Sequence, residues 1–399
     1  MAEAATVPQW TRRLIRTAAV AGALFLAGCQ TLVPRGVPDR APPPPKEQPT
    51  QGTGPETVQP GIPEDKQRHR VALLVPLTGP NAGVGQSLAN ATQLALLDSR
   101  SEQVRITTYD TATGAAAAAQ RALADGNRLI LGPLLSEDVR AVAPIAKRAG
   151  VPVLSYSNDA SVAGNGAYVM GYSPAQSISR VVDYAKQTGI TSFAGLVPTG
   201  VYGQRASTAF LRAVESAGGQ VVSLQTYNRG NGGIAAAVTR LPKNSPYQAV
   251  LIADAAGTAA TAVPLLRRDA ATVRVLGTEL WNTDSAVGSN AALNGAWFAS
   301  VSDGLYRQYA TKYRARFGNA PYRLSSLGYD SVLLTIRIAR EWKVGDRFPE
   351  AKLTDSGGFA GLDGAFRFGR DGIAERALEV QEVRGGTTAT VSPAPRSFE

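Results

Sequence analysis

Residues 71–86 read VALLVPLTGPNAGVGQ, and SLANATQLALL follows at once. An apolar run, a glycine-rich turn and an Ala/Leu-rich stretch in that order predict a strand, a tight loop and a helix. Loops of this form cradle phosphates in nucleotide-binding proteins and hold small ligands in proteins that do no chemistry. The phosphate reading fails on the residues. A phosphate-binding loop needs Gly-Lys-Ser/Thr, so that an ammonium and a hydroxyl reach phosphate and magnesium; here Gly85 is followed by Gln86 and Ser87. The dinucleotide fingerprint fails too, because Leu88 stands three residues after Gly85 where a third glycine belongs. Backbone N–H groups at a helix start still hold any anion, a carboxylate included. The loop therefore reads as the wall of a ligand cleft or as a plain βα turn.

The same alternation continues downstream. Apolar runs at 105–109, 128–131, 151–156, 192–197, 220–227, 249–253 and 273–276 predict strands, and Ala-rich stretches such as 86–97, 113–125, 137–149 and 173–188 predict helices between them. The runs lack period-two alternation, as strands buried on both faces of a parallel sheet do. Alternation over about 300 residues gives an α/β fold, and that length favours two lobes. Helices are predicted again at 305–317 and 325–342, and 364–368 followed by 378–383 reads as a hairpin. No repeat of solenoid length is visible.

Composition excludes several chemistries. The chain carries 41 Lys+Arg against 31 Asp+Glu, a formal charge of +10, but the arginines are scattered and no aromatic-interleaved basic face stands out. Nucleic-acid binding is not expected; attraction to anionic surfaces is the most that the charge supports. One cysteine and one histidine rule out an internal disulfide and a Cys/His zinc site. His69 lies at the edge of the tether, before the apparent folded domain, which argues against a Ser-His-Asp arrangement inside that domain. No metal or cofactor is expected.

Residues 1–28 read as a lipoprotein signal peptide. Arg12, Arg13 and Arg16 precede an apolar stretch at 18–27 that is too short to span a bilayer but suits a signal core. Leu26-Ala27-Gly28-Cys29 resembles a bacterial lipobox, which implies lipidation of Cys29 and a palmitate-bearing membrane anchor. Gln30, in place of an aspartate, implies the outer membrane rather than the inner one. Residues 29–69 are polar and proline-rich, with Pro42 to Pro45 consecutive, and form a disordered tether. A domain at 70–388 and a tail at 389–399 follow.

Here the motifs become specific. VALLVPLTGPNAGVGQSLANATQLAL resembles the first strand-loop-helix of the leucine-binding type of type I periplasmic binding protein, and LILGPLLSEDVRAVAPIAKRAGVPVLSYSND resembles that family's next ligand-bearing region. Val201-Tyr202-Gly203-Gln204, Tyr329-Asp330-Ser331-Val332 and Gly361-Leu362-Asp363-Gly364-Ala365-Phe366-Arg367-Phe368 match in the family's order, over about residues 70 to 385. The resemblance implies parallel sheets flanked by helices in two lobes, with a ligand cleft between them. Three hinge crossings are placed near Ser173, Ser302 and Lys343. Lobe 1 would comprise about 70–172 and 303–342; lobe 2 would comprise about 173–302 and 343–388.

It also implies a site for an amino-acid-like ligand. Ser136 lies where a hydroxyl meets the ligand carboxylate, Ser157 and Asp159 lie in a second polar loop, and Tyr202 opens a helix beside the cleft. Glu279 stands where an acid faces the ligand ammonium, with Asp254 as a further carboxylate and Trp281 as additional wall. Each has a plainer reading: Ser136 as the N-cap of a helix starting at Glu137, Asp159 as a turn residue, Tyr202 and Trp281 as packing, and Glu279 as a solvated charge. Two departures count against a free branched-chain amino acid. Val84 replaces an aromatic beside the first loop, and Ala253–Gly257 replaces a region where such binders offer a tyrosine.

A second relative fits those departures: the domain resembles the C-terminal part of penicillin-binding protein activator lipoproteins, which stimulate a peptidoglycan synthase by protein contact. Their helical-repeat N-terminal region has no counterpart here. Two partner classes are therefore expected beside the small ligand: a membrane transporter for amino acid transport, or a peptidoglycan synthase. Asp110, Asp159, Asp254 and Glu279 leave a hydrolase carboxylate pair conceivable, but no spacing supports one, and a non-enzymatic protein is expected.

Overall fold

The computed structural model describes residues 67–395 except 231, 244–246 and 285, together with 398. The signal peptide, Cys29 and most of the tether lie outside the described residues. The opening stretch folds as read: strand β1 (His69–Val75) is buried at all seven positions except Arg70, and helix α1 (Ala82–Ser99) follows the loop. Gly85 is required there by close approach. A Cβ at that position would overlap the carbonyl oxygen of Pro76.

Strands β2 (Val104–Asp110), β3 (Leu129–Leu131), β4 (Val153–Ser155) and β5 (Ala167–Val169) complete a five-stranded parallel sheet in the order β2-β1-β3-β4-β5. Helices α2 (Ala115–Ala124) and α3 (Ser136–Ala149) belong to this lobe. The ends of α3 suit its dipole, with Glu137 and Asp138 in the first turn and Lys147 and Arg148 in the last, before a left-handed Gly150.

The second lobe repeats the plan. Helix α4 (Pro174–Gln187) leads into β6 (Ser192–Pro198), α5 (Val201–Ser216), β7 (Gln220–Tyr227), α6 (Gly233–Thr239), β8 (Ala249–Ile252), α7 (Ala256–Asp269), β9 (Arg274–Gly277) and β10 (Trp297–Ser300). Gly203 repeats the role of Gly85, since a Cβ there would overlap the carbonyl of Pro198. The chain then returns to lobe 1 through α8 (Gly304–Phe317) and α9 (Ser325–Ala339), which pack beside α1. Tyr313 donates to Ser87 at 3.2 Å and Tyr329 to Asp98 at 2.8 Å. The crossings expected near Ser173 and Ser302 fall between these elements.

The third crossing is later than expected. Residues 343–376 stay with lobe 1, as a small antiparallel sheet of β11 (Phe359–Gly361), β12 (Gly364–Phe368) and β13 (Ala374–Arg376). Ile373 bridges Val169 of β5, and the Leu362 N–H donates to the Asp330 carboxylate of α9 at 2.7 Å. The chain crosses at Ala377–Leu378, where Arg180 of α4 holds the Leu378 carbonyl at 2.9 Å. Strand β14 (Glu379–Arg384) then pairs antiparallel with β10, so 364–368 and 378–383 are not a hairpin but lie in different sheets. The expected tail is shorter too, because β15 (Thr387–Ser392) closes the seven-stranded sheet β15-β14-β10-β9-β8-β6-β7 as an edge strand.

His69 also moves from its expected place. It opens β1, 4% exposed, with its ring stacked on Trp342 at 3.9 Å and its Nδ1 without a partner among the described residues. Its position in a tether therefore gives no ground for excluding it from chemistry. No helix of the described residues is long and apolar enough to cross a membrane.

Candidate functional site

The predicted residues sit at the ends of strands and starts of helices that face one another across the lobes. From lobe 1, Ser136 is the first residue of α3, and Ser157 and Asp159 lie in the loop after β4. Ser136 is not an N-cap: Leu135 holds that position, and the Ser136 hydroxyl accepts from Arg140 at 3.3 Å, one turn along. Ser157 is buried and its hydroxyl accepts from the Asp159 N–H at 3.1 Å, so it shapes the loop.

Asp159 is the hub of this cluster. Its carboxylate accepts from the Ser161 N–H at 2.9 Å and the Ser161 hydroxyl at 2.6 Å, and pairs with Arg140 at 2.8 Å. Its fourth partner comes from the other lobe: Arg205 of α5 reaches it at 2.6 Å. Burial pushes the Asp159 carboxyl up, but the Ser161 and Arg205 hydrogen bonds outweigh this and hold it at about 2. The turn reading of Asp159 is thus part of the answer, and a bond across the cleft is the other part.

From lobe 2, Tyr202 occupies the first turn of α5, one turn before Arg205. Its hydroxyl donates to Glu279 at 3.0 Å and lies 3.0 Å from Thr278 Oγ1. The hydroxyl of Ser177, on α4, donates to the other Glu279 oxygen. Burial raises the Glu279 carboxyl above its ordinary range, and these hydroxyl donors pull against that rise. Burial, and then the Glu279 charge, push the Tyr202 hydroxyl far up, so it stays a neutral donor.

Asp254 is taken up internally. It accepts from Tyr227 at 2.7 Å, from Arg229 at 3.0 Å and from the Ala255 N–H at 2.8 Å. Trp281 is wholly buried, its indole N–H donating to the Asp254 carbonyl at 3.0 Å and its ring packing on Phe298 at 5.7 Å. Gly277 is required beneath it, because a Cβ there would overlap the indole.

The structure therefore gathers the predicted residues into two linked clusters on the first turn of α5, and places Trp281 in the core. The residues missed from sequence are the partners: Arg140, Arg205, Arg229, Ser177 and Thr278. The spacings from Ser136 to Arg140 and from Tyr202 to Arg205 put each arginine one helical turn from its site residue, a signal by which the first two of them could have been found. Beside Arg205 a cavity of about 490 Å³ runs between the 158–160 loop and helices α4 and α5, bordered by Asn158, Ser173, Gln204 and Arg212. Among the described residues no group of three or more His, Cys, Asp or Glu side chains is placed to hold a metal.

The family model for periplasmic binding proteins matches residues 69–388. The chain belongs to the type I periplasmic binding protein family. Within that family, it superposes on a Rhodospirillum rubrum protein assigned to a branched-chain amino acid ABC transporter with a TM-score of 0.73 and 23% identity, covering 81% of this chain and 100% of that one. On a leucine-binding protein from Thermotoga maritima the TM-score is 0.62 at 20% identity, covering 82% and 98%. On the C-domain of LpoA from Haemophilus influenzae, a regulator of PBP1A, it is 0.64 at 18% identity, covering 81% and 99%. At these identities the likeness carries the fold alone. An uncharacterized protein of Rickettsia prowazekii (strain Madrid E) is 27% identical over 146 residues, which is 36% of this chain and 39% of that protein. The chain thus aligns with well under half of that curated relative's length.

Proposed function

We propose that this periplasmic binding protein is a non-catalytic, periplasm-facing regulator, tethered to the outer membrane through lipid on Cys29, that acts on a peptidoglycan synthase by protein contact. The observation that carries the reading is the Arg205–Asp159 ion pair, which joins the two lobes through groups that a ligand-ready cleft would leave free. Within lobe 2, Asp254 and Arg229 are likewise paired with one another. A carboxylate already bonded to a guanidinium and several N–H or O–H donors has little left to offer an incoming ammonium. The fold shared with the Haemophilus influenzae LpoA C-domain, a regulator of PBP1A, is consistent with this role. The test is reconstitution: the full chain is added to a purified bifunctional penicillin-binding protein of the same organism, and peptide cross-linking of nascent glycan is followed. A rise in cross-linking supports the reading; no binding and no rate change at micromolar concentrations rejects it.

A carrier of an amino-acid-like ligand, delivering to a membrane transporter, is the second reading. It is favoured by the Glu279 carboxylate, which is ringed by hydroxyls rather than by a cation. A ligand at a hundred times its Kd adds about 2.7 kcal/mol of stability. A thermal shift of that size with one amino acid, lost in Glu279→Ala, reverses the order of the two readings.

A further inference from the structure

A second cavity, of about 730 Å³, lies between the lobes, and of the expected site residues only Trp281 lines it. Lobe 1 contributes the start and middle of α8 and residues 320–323; lobe 2 contributes Asn282, Gln381 and the β14–β15 connection. Its volume is within the range of small-molecule sites.

The charges on its wall are unevenly satisfied. Arg307 and Arg314 stand seven residues apart on α8, roughly 10 Å along one face of the helix. Both are exposed, and among the described residues neither side chain has an ion pair or hydrogen-bond partner. Arg323, the third cation, is buried with its guanidinium 3.9 Å over the Tyr306 ring. It pairs with Asp363 at 2.6 Å and Asp303 at 3.5 Å, and its Nε–H has no partner. The two acids of the wall are already engaged: Asp303 by Arg323, and Asp284 by the Ala286 N–H of its own turn at 2.9 Å. What remains is a concave surface with two exposed guanidiniums outside hydrogen-bond reach of any acid, Arg307 acting on Asp303 only through its charge, with the ring of Tyr322 and the hydroxyl of Thr388 beside them.

We infer that this cavity binds a small dianion, a dicarboxylate with its ends up to about 10 Å apart, with Arg307 and Arg314 each taking one carboxylate. Between them the wall offers the ring of Tyr322 and, from the opposite lobe, Val287, against which the methylene chain packs. Because the walls come from both lobes, an occupant favours the lobe arrangement that brings them to this spacing. The inference is independent of whether the protein regulates a synthase or carries a solute.

The probes are aliphatic dicarboxylates from succinate to azelate, titrated calorimetrically into the full chain, with the matched monocarboxylates and azelamide as controls. Binding is expected to tighten with chain length towards azelate and to weaken about tenfold in each of Arg307→Gln and Arg314→Gln. Arg316→Gln, an exposed change on the same helix, leaves it unchanged. Both site arginines are exposed, so melting temperatures of the variants should match the parent. The inference is overturned if no diacid binds better than azelamide. It is equally overturned if Arg316→Gln weakens binding as much as the other two, which would reduce the effect to general attraction by a basic surface.

Discussion

The ion pair between Asp159 and Arg205 is the feature most directly open to measurement. The Asp159 side chain is 4% exposed and that of Arg205 is 32% exposed, so the pair is only partly screened. The carboxyl is held at about 2 against an ordinary 3.8. At roughly 1.4 kcal/mol per unit, that is about 2 kcal/mol in favour of the folded, charged form. The Ser161 hydrogen bonds share it, which leaves Arg205 with about 1 kcal/mol, or roughly a fivefold bias towards joined lobes. The sign follows from the lowered value: the contribution is complete above the unfolded value near 3.8 and is lost as pH falls through about 2. Four proteins test it: the parent, Asp159→Asn, Arg205→Gln and the double variant, each unfolded in urea at pH 7 and at pH 2.5. A coupling energy of about 1 kcal/mol at pH 7, shrinking at pH 2.5, is expected. Small-angle scattering of the single variants should show a larger radius of gyration as the lobes part. A coupling below about 0.3 kcal/mol, with scattering curves that superpose, would refute the idea that this pair holds the lobes together.

Other perturbations follow from the same geometry. Trp281→Ala removes a wholly buried indole and leaves the Asp254 carbonyl without its donor; a loss of about 3–5 kcal/mol in urea unfolding is expected, and a loss below about 1 kcal/mol would contradict its core role. Asp363→Ala strands the buried Arg323 guanidinium and should cost about 3–5 kcal/mol, and a melting temperature equal to the parent's would contradict the pairing. Burial lowers the pKa of His69, so the unfolded chain takes its proton first. Stability from this residue is therefore full above about 6.5 and falls below it. As the one histidine of the chain, its ring resonance can be titrated directly, and a midpoint at or above 6.5 is the contrary result.

Much of this architecture was readable from residues 71–86 outward, because a parallel sheet buried on both faces writes itself as uninterrupted apolar runs separated by helix-length stretches. The failures cluster where that rule does not hold. Residues 359–392 form short antiparallel strands in two different sheets, and their local pattern is the same whether they pair with each other or with distant partners such as Trp297–Ser300. Only the long-range match decides it, and local periodicity carries no such information. His69 was misplaced for a related reason: it stands within a charged run, and its partner Trp342 lies 273 residues away. The states of the candidate site residues were not legible in the sequence. Asp159, Asp254 and Glu279 look alike in sequence, and differ only in whether an arginine or a hydroxyl faces them. Trp281 reads as wall or core until the glycine beneath it is seen.

The interleaving of the lobes also governs how the molecule comes into being. Lobe 1 is unfinished until Ala374–Arg376 has joined the small sheet against it, and the central sheet of lobe 2 lacks its neighbour to β10 until Glu379–Arg384 arrives. A chain made from its N-terminus therefore holds β10 as an open edge of the lobe 2 sheet until Glu379–Arg384 is released, although the five-stranded sheet of lobe 1 is complete by Val169. Such an intermediate exposes an apolar strand edge to its neighbours until then. Loss of the last two dozen residues would thus leave no intact lobe 2 for function to fall back on, only a sheet with its β10 edge bare.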